Sequence, residues 1–140
     1  MTEKIKKEDY KILIVDDEKD FCEMLDRFLK KKGYNSVAIS DSTVAFDYIV
    51  ENNIRIAILD ICMPGETGIK LLKKIKQHDD TIQCVVMTGF NSHFSFVLSL
   101  KTEADDYLTK PFDFSEIDEI IIYLIKKLER WKSVEKDFIT

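Results

Sequence analysis

The sequence predicts a single α/β domain in which helices cover both faces of a parallel sheet. Short runs rich in Ile and Val alternate five times with segments whose apolar residues recur at helical spacing. Each crossover between parallel strands must return over the sheet and is almost always right-handed, so five such units imply a doubly wound sheet. The 140 residues suffice for one domain, and no stretch rich in Gly, Ser and Pro divides them.

The predicted elements follow one another with short connections. Nearly continuous apolar character in the first, third and fourth strands indicates burial on both sides of the sheet. Gly33 is expected to end the first helix, Ser42 is a candidate cap of the second, and Ser115 with Asp118 resembles a capping box that opens the last. The predicted strands cover residues 11–15, 34–39, 54–60, 82–88 and 106–109, and the later helices about 42–51, 68–78, 92–100 and 114–131.

Composition and charge exclude several classes of protein. No apolar run approaches the roughly 20 residues of a membrane span, and the start MTEKIKKEDY lacks the apolar core of a signal peptide, so we expect a cytoplasmic protein without a membrane partner. The formal charge is −5, and basic residues such as Lys76 are expected at or near the ends and on the outer faces of predicted helices. This arrangement disfavours direct nucleic-acid binding. Cys22, Cys62 and Cys84 include no CxxC pair, which favours reduced structural thiols.

Polar side chains follow four of the predicted strands at their carboxyl ends. Asp16 and Asp17 follow the first strand, Asp60 ends the third, Thr88 ends the fourth and Lys110 follows the fifth. Because the binding crevice of an open parallel sheet lies beyond these ends, we expect the five residues to meet in one pocket. Carboxylates about 4 Å apart repel each other by about 1 kcal/mol in water and about 4 kcal/mol at an effective dielectric of about 20. Either one carboxylate holds a proton, or a cation occupies the pocket.

Oxygen-only ligands at this pocket favour Mg²⁺ among the cations. Mg²⁺ typically takes a few carboxylates, keeps several waters and completes its shell with phosphate oxygens. A magnesium site for handling phosphate is therefore the simplest interpretation of the stretch ILIVDDE at residues 12–18. A flavin-binding protein of this architecture would need a Ser/Thr/Gly-rich phosphate loop after the first strand, and an NTPase would need GxxxxGK[ST], whereas Asp-Asp-Glu stands there.

Four motifs occur in a fixed order along the chain: IVDDE at residues 14–18, LDICMPGETG at 59–68, MTG at 87–89 and DDYLTKPF at 105–112. As a set they resemble the receiver domain of two-component response regulators. The resemblance implies a flavodoxin-like (βα)5 fold, a doubly wound parallel sheet with strand order 2-1-3-4-5.

The resemblance also implies boundaries along the chain. Residues 1–10 are expected to form an N-terminal tail, residues 11–127 the receiver domain, and residues 128–140 a helical extension or linker. Whether the chain acts alone or belongs to a longer regulator stays open at this point. We expect a signalling switch rather than an enzyme, with Mg-dependent self-phosphorylation and autodephosphorylation as its only reactions.

The same resemblance assigns a phosphoacceptor and metal ligands. It implies that Asp60 attacks a phosphohistidine of a sensor histidine kinase or histidine phosphotransfer protein. It implies further that Asp17 and Asp60 ligate Mg²⁺ through their side chains, Asp16 does so directly or through water, and Cys62 contributes its backbone carbonyl. A carboxylate is a competent nucleophile toward phosphorus if a metal offsets the repulsion between the two anions.

Further residues receive roles in charge compensation and switching by resemblance. Lys110 is expected to place its ammonium against a phosphoryl oxygen, and the peptide bond before Pro111 is expected to be cis. Phosphorylation is expected to draw the Thr88 hydroxyl toward the phosphoryl group, after which Tyr107 turns inward. The face made by predicted helix four, strand five and helix five then changes, is read by partners, and allows a homodimer. Bulky Phe90 is hypothesised to hinder attack by water on the phosphoryl group.

The last predicted helix is more apolar than one packed face requires. Ile122 and Ile125 fall off its core-facing stripe, and Trp131 lies beyond the usual end of the domain. Two interpretations stay open: an exposed apolar strip that binds a partner or a second copy, or a wide core face followed by a frayed tail.

Two other functional classes are alternatives to the switch. A haloacid-dehalogenase-like phosphatase also uses an Asp nucleophile with Mg²⁺, but neither DDE at residues 16–18 nor DIC at 60–62 supplies its DxDx[TV] pattern. An unphosphorylated pseudo-receiver that serves as a scaffold usually lacks some of the acidic, Thr or Lys positions, all of which are present here.

Overall fold

Five parallel strands form one sheet in the order β2-β1-β3-β4-β5, which confirms the predicted fold class. The computed structural model describes residues 5–61, 68–89 and 104–139, so the helix predicted at 92–100 lies outside the described residues. No helix in these ranges combines the length and apolar character needed to cross a bilayer. The strands are β1 (Lys11–Val15), β2 (Asn35–Ile39), β3 (Ile56–Asp60), β4 (Gln83–Thr88) and β5 (Asp106–Thr109); the helices are α1 (Lys19–Lys31), α2 (Ala45–Glu51), α3 (Gly68–His78) and the C-terminal helix (Phe114–Ile139), with short 3-10 helices at Lys7–Asp9 and Ser42–Val44.

The two faces of the sheet carry separate apolar cores. Along β1, Ile12 and Ile14 point to one face, where α1 and the C-terminal helix pack, while Leu13 and Val15 point to the other, where α2 and α3 pack. All four side chains are fully buried. Burial on both faces leaves only the ends of the strands open to water, so the polar residues at those ends are the accessible part of the sheet.

The C-terminal helix is one continuous element of 26 residues, so its predicted end at residue 131 and the frayed tail are wrong. Its core face is wide, as the second of the two open interpretations expected. Ile125 is fully buried, so its predicted place outside the core stripe is wrong, because it packs beside Ile121 on the same sheet face. Leu128 is the last buried side chain among those described up to residue 138, and exposed apolar residues follow it: Trp131 is 40% exposed and Phe138 is 86% exposed.

The predicted starts of β2 and β4 are each one residue too early, and the starts of β3 and α2 differ by two or three residues. β3 begins at Ile56 and not at residue 54, because Ile54 is buried without belonging to the strand ladder. The segment from Ser42 starts as a 3-10 turn, and the cap is Asp41, whose carboxylate accepts hydrogen bonds from the Thr43 backbone N at 3.0 Å and hydroxyl at 2.6 Å. Asp and Ser are both good caps, so the sequence alone does not choose between neighbours.

The predicted end of α1 is confirmed, whereas the predicted capping box of the last helix is wrong. Gly33 has a φ of 93° directly after the C-cap residue of α1, a conformation that glycine adopts without a steric penalty. The C-terminal helix begins at Phe114, so Ser115 lies inside its first turn. The Asp118 carboxylate instead accepts a hydrogen bond of 2.5 Å from the Tyr34 hydroxyl, which ties the C-terminal helix to the start of β2.

A buried ion pair joins four elements at the edge of the sheet opposite the functional pocket. Lys76 lies in the last turn of α3, near a helix end as expected, but it is only 8% exposed and so does not lie on an outer face. Its Nζ donates to Asp105 Oδ2 at 2.7 Å and to the Ile82 carbonyl at 2.8 Å. The same Asp105 oxygen accepts from the Cys84 backbone N at 2.8 Å, and Lys127 Nζ lies 3.6 Å from the other oxygen. The pair therefore links α3, β4, β5 and the C-terminal helix.

The two cysteines in the described residues are buried free thiols, as predicted. Burial raises the pKa of Cys22 to about 11, and the nearby Asp16 charge adds to the effect. Burial raises the pKa of Cys84 to about 12. Both groups are therefore protonated and unreactive at neutral pH, since the thiolate is the reactive form. Cys62 lies outside the described residues.

Candidate functional site

Strand register brings the predicted site residues to one edge of the sheet. Val15 of β1 pairs with Leu59 of β3, so the residues that follow them, Asp16 and Asp60, are neighbours across adjacent strands. At the other side of the pocket the Lys110 backbone N donates to the Thr88 carbonyl at 2.8 Å, which fixes the start of the loop after β5. Residues nearly a hundred positions apart therefore meet because parallel strands end together.

Three carboxylates form the centre of this site. One oxygen from each of Asp16, Asp17 and Asp60 lies within 4.8 Å of the others. Asp16 is fully buried and Asp60 is 7% exposed, whereas Asp17 is open to solvent. The backbone N of Glu18 donates to Asp16 Oδ1 at 2.9 Å, which fixes the orientation of that carboxylate. A cation can therefore reach the cluster from the Asp17 side.

Lys110 supplies a positive charge within the cluster. Its Nζ lies 2.6 Å from Asp16 Oδ2 and 3.6 Å from Asp60 Oδ2. Burial by itself would lower the pKa of Lys110, but the hydrogen bond to Asp16 and the charges of Asp60 and Asp16 outweigh it and raise the pKa above the ordinary value. The lysine is thus fully protonated at neutral pH and offsets part of the repulsion that the sequence implies. Its pairing with Asp16 was not predicted, because spacing along the chain shows which residues converge but not which of them touch.

Phe21 is a further residue at the site, and it was not predicted from the sequence. The face of its ring lies over Lys110, with 4.3 Å between Nζ and the ring centroid. Its place on the apolar stripe of α1 is the ordinary pattern of a core residue. The only available signal was its position four residues after Asp17, in the first turn of the helix that follows the acidic pair.

The donor set fits a hard divalent cation. Three carboxylates face one ammonium, so the described part of the pocket has an excess of negative charge, and all its candidate ligand atoms are oxygens. Mg²⁺ prefers such ligands and keeps water in the positions that the protein leaves open, which the exposed side of Asp17 permits. The predicted carbonyl ligand, Cys62, lies outside the described residues.

The two predicted switch residues lie on neighbouring strands: Thr88 ends β4, whereas Tyr107 is the second residue of β5 and pairs with Val86. Thr88 is 2% exposed, and its hydroxyl makes long hydrogen bonds to the Leu108 carbonyl at 3.3 Å and the Thr109 hydroxyl at 3.5 Å. Tyr107 is 39% exposed, so its ring lies largely outside the core. The peptide bond between Lys110 and Pro111 is cis. Phe90 lies outside the described residues.

Gly68 allows α3 to begin directly against the backbone of the phosphoacceptor candidate. A Cβ atom built on Gly68 would lie 2.1 Å from the Asp60 carbonyl oxygen and 2.6 Å from Ile61 Cα. Both atoms belong to the main chain, so neither can rotate away as a flexible side chain would. The absence of a side chain at Gly68 thus sets how closely α3 approaches the end of β3.

Substitution of Gly68 by alanine is therefore expected to lower the stability of the protein and to displace the backbone at the site. We expect Gly68→Ala to reduce the free energy of unfolding by about 2–3 kcal/mol, because overpacking against fixed atoms forces the backbone to shift. Urea unfolding followed by circular dichroism measures this loss. Gln77→Ala, which places the same residue at an exposed position of α3, is the matched control and should stay within about 0.5 kcal/mol of the parent. Equal stabilities for the Gly68→Ala and Gln77→Ala variants would contradict the close-approach argument.

Comparison with known proteins places these features in one family. The sequence model described as the response regulator receiver domain matches residues 12–122, which include the acidic pair, Asp60, Thr88 and Lys110. The chain belongs to the response regulator receiver domain family.

Solved structures of other receivers share the fold of this receiver domain. The receiver domain of the Francisella response regulator 1452 is 28% identical, with a TM-score of 0.78 over 85% of this chain and 98% of that one. A receiver domain protein from Clostridium thermocellum is 27% identical, with a TM-score of 0.82 over 87% and 98%. The response regulator TrrA from Thermotoga maritima, in complex with Mg²⁺-BeF, is 30% identical, with a TM-score of 0.74 over 82% and 98%.

Membership in the receiver domain family indicates a general function for this chain. Receiver domains are phosphorylatable signalling switches of two-component systems that bind Mg²⁺ at an acidic phosphorylation site and interact with histidine kinases or phosphotransfer proteins. The acidic cluster of Asp16, Asp17 and Asp60 in this receiver fits that description.

Proposed function

We propose that this receiver accepts a phosphoryl group on Asp60 from a sensor histidine kinase or a histidine phosphotransfer protein. The observation that carries the proposal is the meeting of three carboxylates within 4.8 Å with a lysine ammonium 3.6 Å from Asp60 Oδ2. A nucleophilic carboxylate, a cation site and a fixed positive charge are together what phosphoryl transfer to an aspartate requires.

In the proposed transfer a carboxylate oxygen of Asp60 forms a bond to phosphorus while the bond between phosphorus and the imidazole nitrogen of the donor breaks. The imidazole leaves with the electron pair of that bond and takes up a proton. Asp17, Asp60 and the carbonyl of Cys62, with Asp16 directly or through water, would hold a Mg²⁺ that neutralises charge between the two anions. Lys110 shifts from Asp16 toward a phosphoryl oxygen and stabilises the charge that develops there.

The proposed switch follows from the hydroxyl of Thr88. Its two hydrogen bonds, at 3.3 and 3.5 Å, are long and therefore weak competitors for a new acceptor. A phosphoryl group brings nearly two negative charges and three acceptor oxygens, so the hydroxyl turns toward it. Tyr107, which is 39% exposed, then turns into the space that the hydroxyl leaves. The coupling is of the usual size for such switches, about 1–3 kcal/mol.

The wider organisation is proposed on the same basis. Residues 11–127 form the switch domain and residues 128–140 a helical extension or linker. The face of β5 and the C-terminal helix, together with the fourth helix expected at 92–100, is proposed to be read by a downstream partner or a second copy in the cytoplasm. Reactions of this receiver are its own Mg-dependent phosphorylation and dephosphorylation, without a further substrate.

The test is phosphorylation by a small donor. The protein is incubated with acetyl phosphate with and without Mg²⁺, and intact mass is measured for the wild type and for Asp60→Asn. We expect one acid- and base-labile phosphoryl group on the wild type, only with Mg²⁺, and none on Asp60→Asn. Asp47→Asn, an exposed change on α2, is the matched control and should be phosphorylated like the wild type.

Three results would contradict the proposal in distinguishable ways. An adduct on Asp60→Asn would place the phosphoryl group elsewhere. Repeated turnover of phosphomonoesters by the wild type would favour the phosphatase alternative. Neither adduct nor hydrolysis would favour a scaffold that binds partners without phosphorylation.

A further inference from the structure

A cluster of four phenylalanine rings packs beside the phosphorylation pocket. Phe21 meets Phe112 edge to face at 5.9 Å between centroids and 90° between planes, and Phe114 at 6.1 Å and 73°. Phe28 packs on Phe114 at 5.3 Å. Phe112 lies two residues after Lys110, so the loop that carries the lysine also carries a ring that fixes the orientation of Phe21.

Phe21 is the member of the cluster that contacts the catalytic machinery. Lys110 Nζ lies 4.3 Å from the centroid of its ring, well inside the roughly 6 Å over which a ring face attracts an ammonium. The negative face of the ring attracts the positive charge without accepting a strong, directional hydrogen bond. The ammonium can therefore keep its N–H donors for oxygens while it rests on the ring.

This contact matters because Asp16, Asp60 and water compete for the Lys110 ammonium. A lysine side chain is a point charge on a flexible four-carbon stem, and that of Lys110 is 20% exposed, so water is within its reach. In this structure the ammonium is closer to Asp16, at 2.6 Å, than to Asp60, at 3.6 Å. Transfer requires the ammonium to move toward Asp60 without swinging out into solvent, and a flat ring face permits the first motion while opposing the second.

We propose that Phe21 is a positioning residue for Lys110. The ring face of Phe21 confines the Lys110 ammonium beside Asp60, so that the ammonium meets a phosphoryl oxygen. The inference rests on the proposed function, since it assumes that Asp60 is phosphorylated with the help of Lys110. Phe21 acts through Lys110 alone and contacts neither donor nor metal in this role. The aromatic neighbours Phe112 and Phe114 keep its ring in place.

The experiment removes the ring while keeping an apolar side chain. In Phe21→Leu we expect the rate constant for phosphorylation by acetyl phosphate with Mg²⁺ to fall about tenfold, the size expected of a partly desolvated cation–π contact. Binding of beryllofluoride, a mimic of the phosphoryl group, followed by ¹⁹F NMR, should weaken by a similar factor. Phe21→Tyr keeps a ring face and should restore both quantities to within about twofold of the wild type.

Two controls separate positioning from packing. Phe28→Leu removes a ring of the same cluster on the same helix, away from Lys110, and should leave the rate constant unchanged. In a Lys110→Met background, Phe21→Leu should have almost no further effect, because a residue that acts only through Lys110 cannot act once Lys110 is absent. Urea unfolding checks that each variant is folded, and Phe21→Met is a second ring-free variant if the leucine variant does not fold.

The outcomes distinguish this inference from the proposed function. A wild type that takes up no phosphoryl group contradicts the proposed function and the positioning role with it. A phosphorylated wild type with an equally fast Phe21→Leu overturns the positioning role alone. The positioning role is also overturned if Phe21→Leu slows phosphorylation equally in the parent and in the Lys110→Met background, which would mark a packing defect. A Phe21→Tyr variant as slow as Phe21→Leu would overturn it as well.

Discussion

Replacing Lys110 with methionine is expected to slow phosphorylation of Asp60 and, at the same time, to tighten Mg²⁺ binding. Phosphorylation should slow because the ammonium 3.6 Å from Asp60 Oδ2 is lost from the place where negative charge develops, and one such group contributes a factor of about 10²–10³. Mg²⁺ should bind more tightly because the incoming cation no longer meets a fixed positive charge, and because Asp16 loses its partner at 2.6 Å.

Two measurements check these opposite effects of Lys110→Met. Intact-mass kinetics with acetyl phosphate at saturating Mg²⁺ give the rate constant, and isothermal titration calorimetry gives the Mg²⁺ dissociation constant. Lys19→Met, an exposed change in the first turn of α1, alters the net charge equally and is the matched control for both. Weaker Mg²⁺ binding by Lys110→Met than by Lys19→Met would show that the ammonium does not compete with the cation, contrary to the geometry.

Replacing Lys76 with methionine is expected to cost about 3 kcal/mol of the free energy of unfolding. The change leaves the Asp105 carboxylate, which is 13% exposed, without the ammonium at 2.7 Å. An uncompensated buried charge is far more costly than the loss of an exposed ion pair. Lys127 at 3.6 Å compensates only part of the charge, because it is more exposed and farther away.

Urea unfolding measures this loss, and two variants test its cause. Lys73→Met removes an exposed lysine from the same helix and should change stability by less than about 0.5 kcal/mol. Adding Asp105→Asn to Lys76→Met should recover part of the loss, because no buried charge is left and the amide oxygen can still accept from the Cys84 backbone N. A double variant less stable than Lys76→Met would contradict the role assigned to the charge.

The strands were largely predictable because a sheet buried on both faces leaves uninterrupted apolar runs in the sequence. KILIV at residues 11–15 is such a run and forms β1 without adjustment. The start of β3 was not predictable in this way, since Ile54 is nearly as buried as the strand residues although it lies outside the ladder. Hydrophobicity reports burial, and burial is a wider property than strand pairing.

The pocket was predictable as a meeting place but not as a set of contacts. Parallel strands end at one edge, so Asp16, Asp60 and Lys110 had to converge there. Which carboxylate forms the closer ion pair with Lys110 depends on angles and distances that sequence spacing does not encode. The burial of Lys76 was missed for a related reason: its partner is 29 residues away, and a lysine on a helix is exposed in most proteins.

The unbroken C-terminal helix has a mechanical consequence. Between the buried Leu128 and the exposed Phe138 the rise is about 15 Å at 1.5 Å per residue. This length acts as a lever arm: a tilt of about 10° at the core would displace the ring of Phe138 by about 3 Å, roughly the size of a water molecule. A small tilt of the helix beside β5 would therefore produce a larger displacement at its far end.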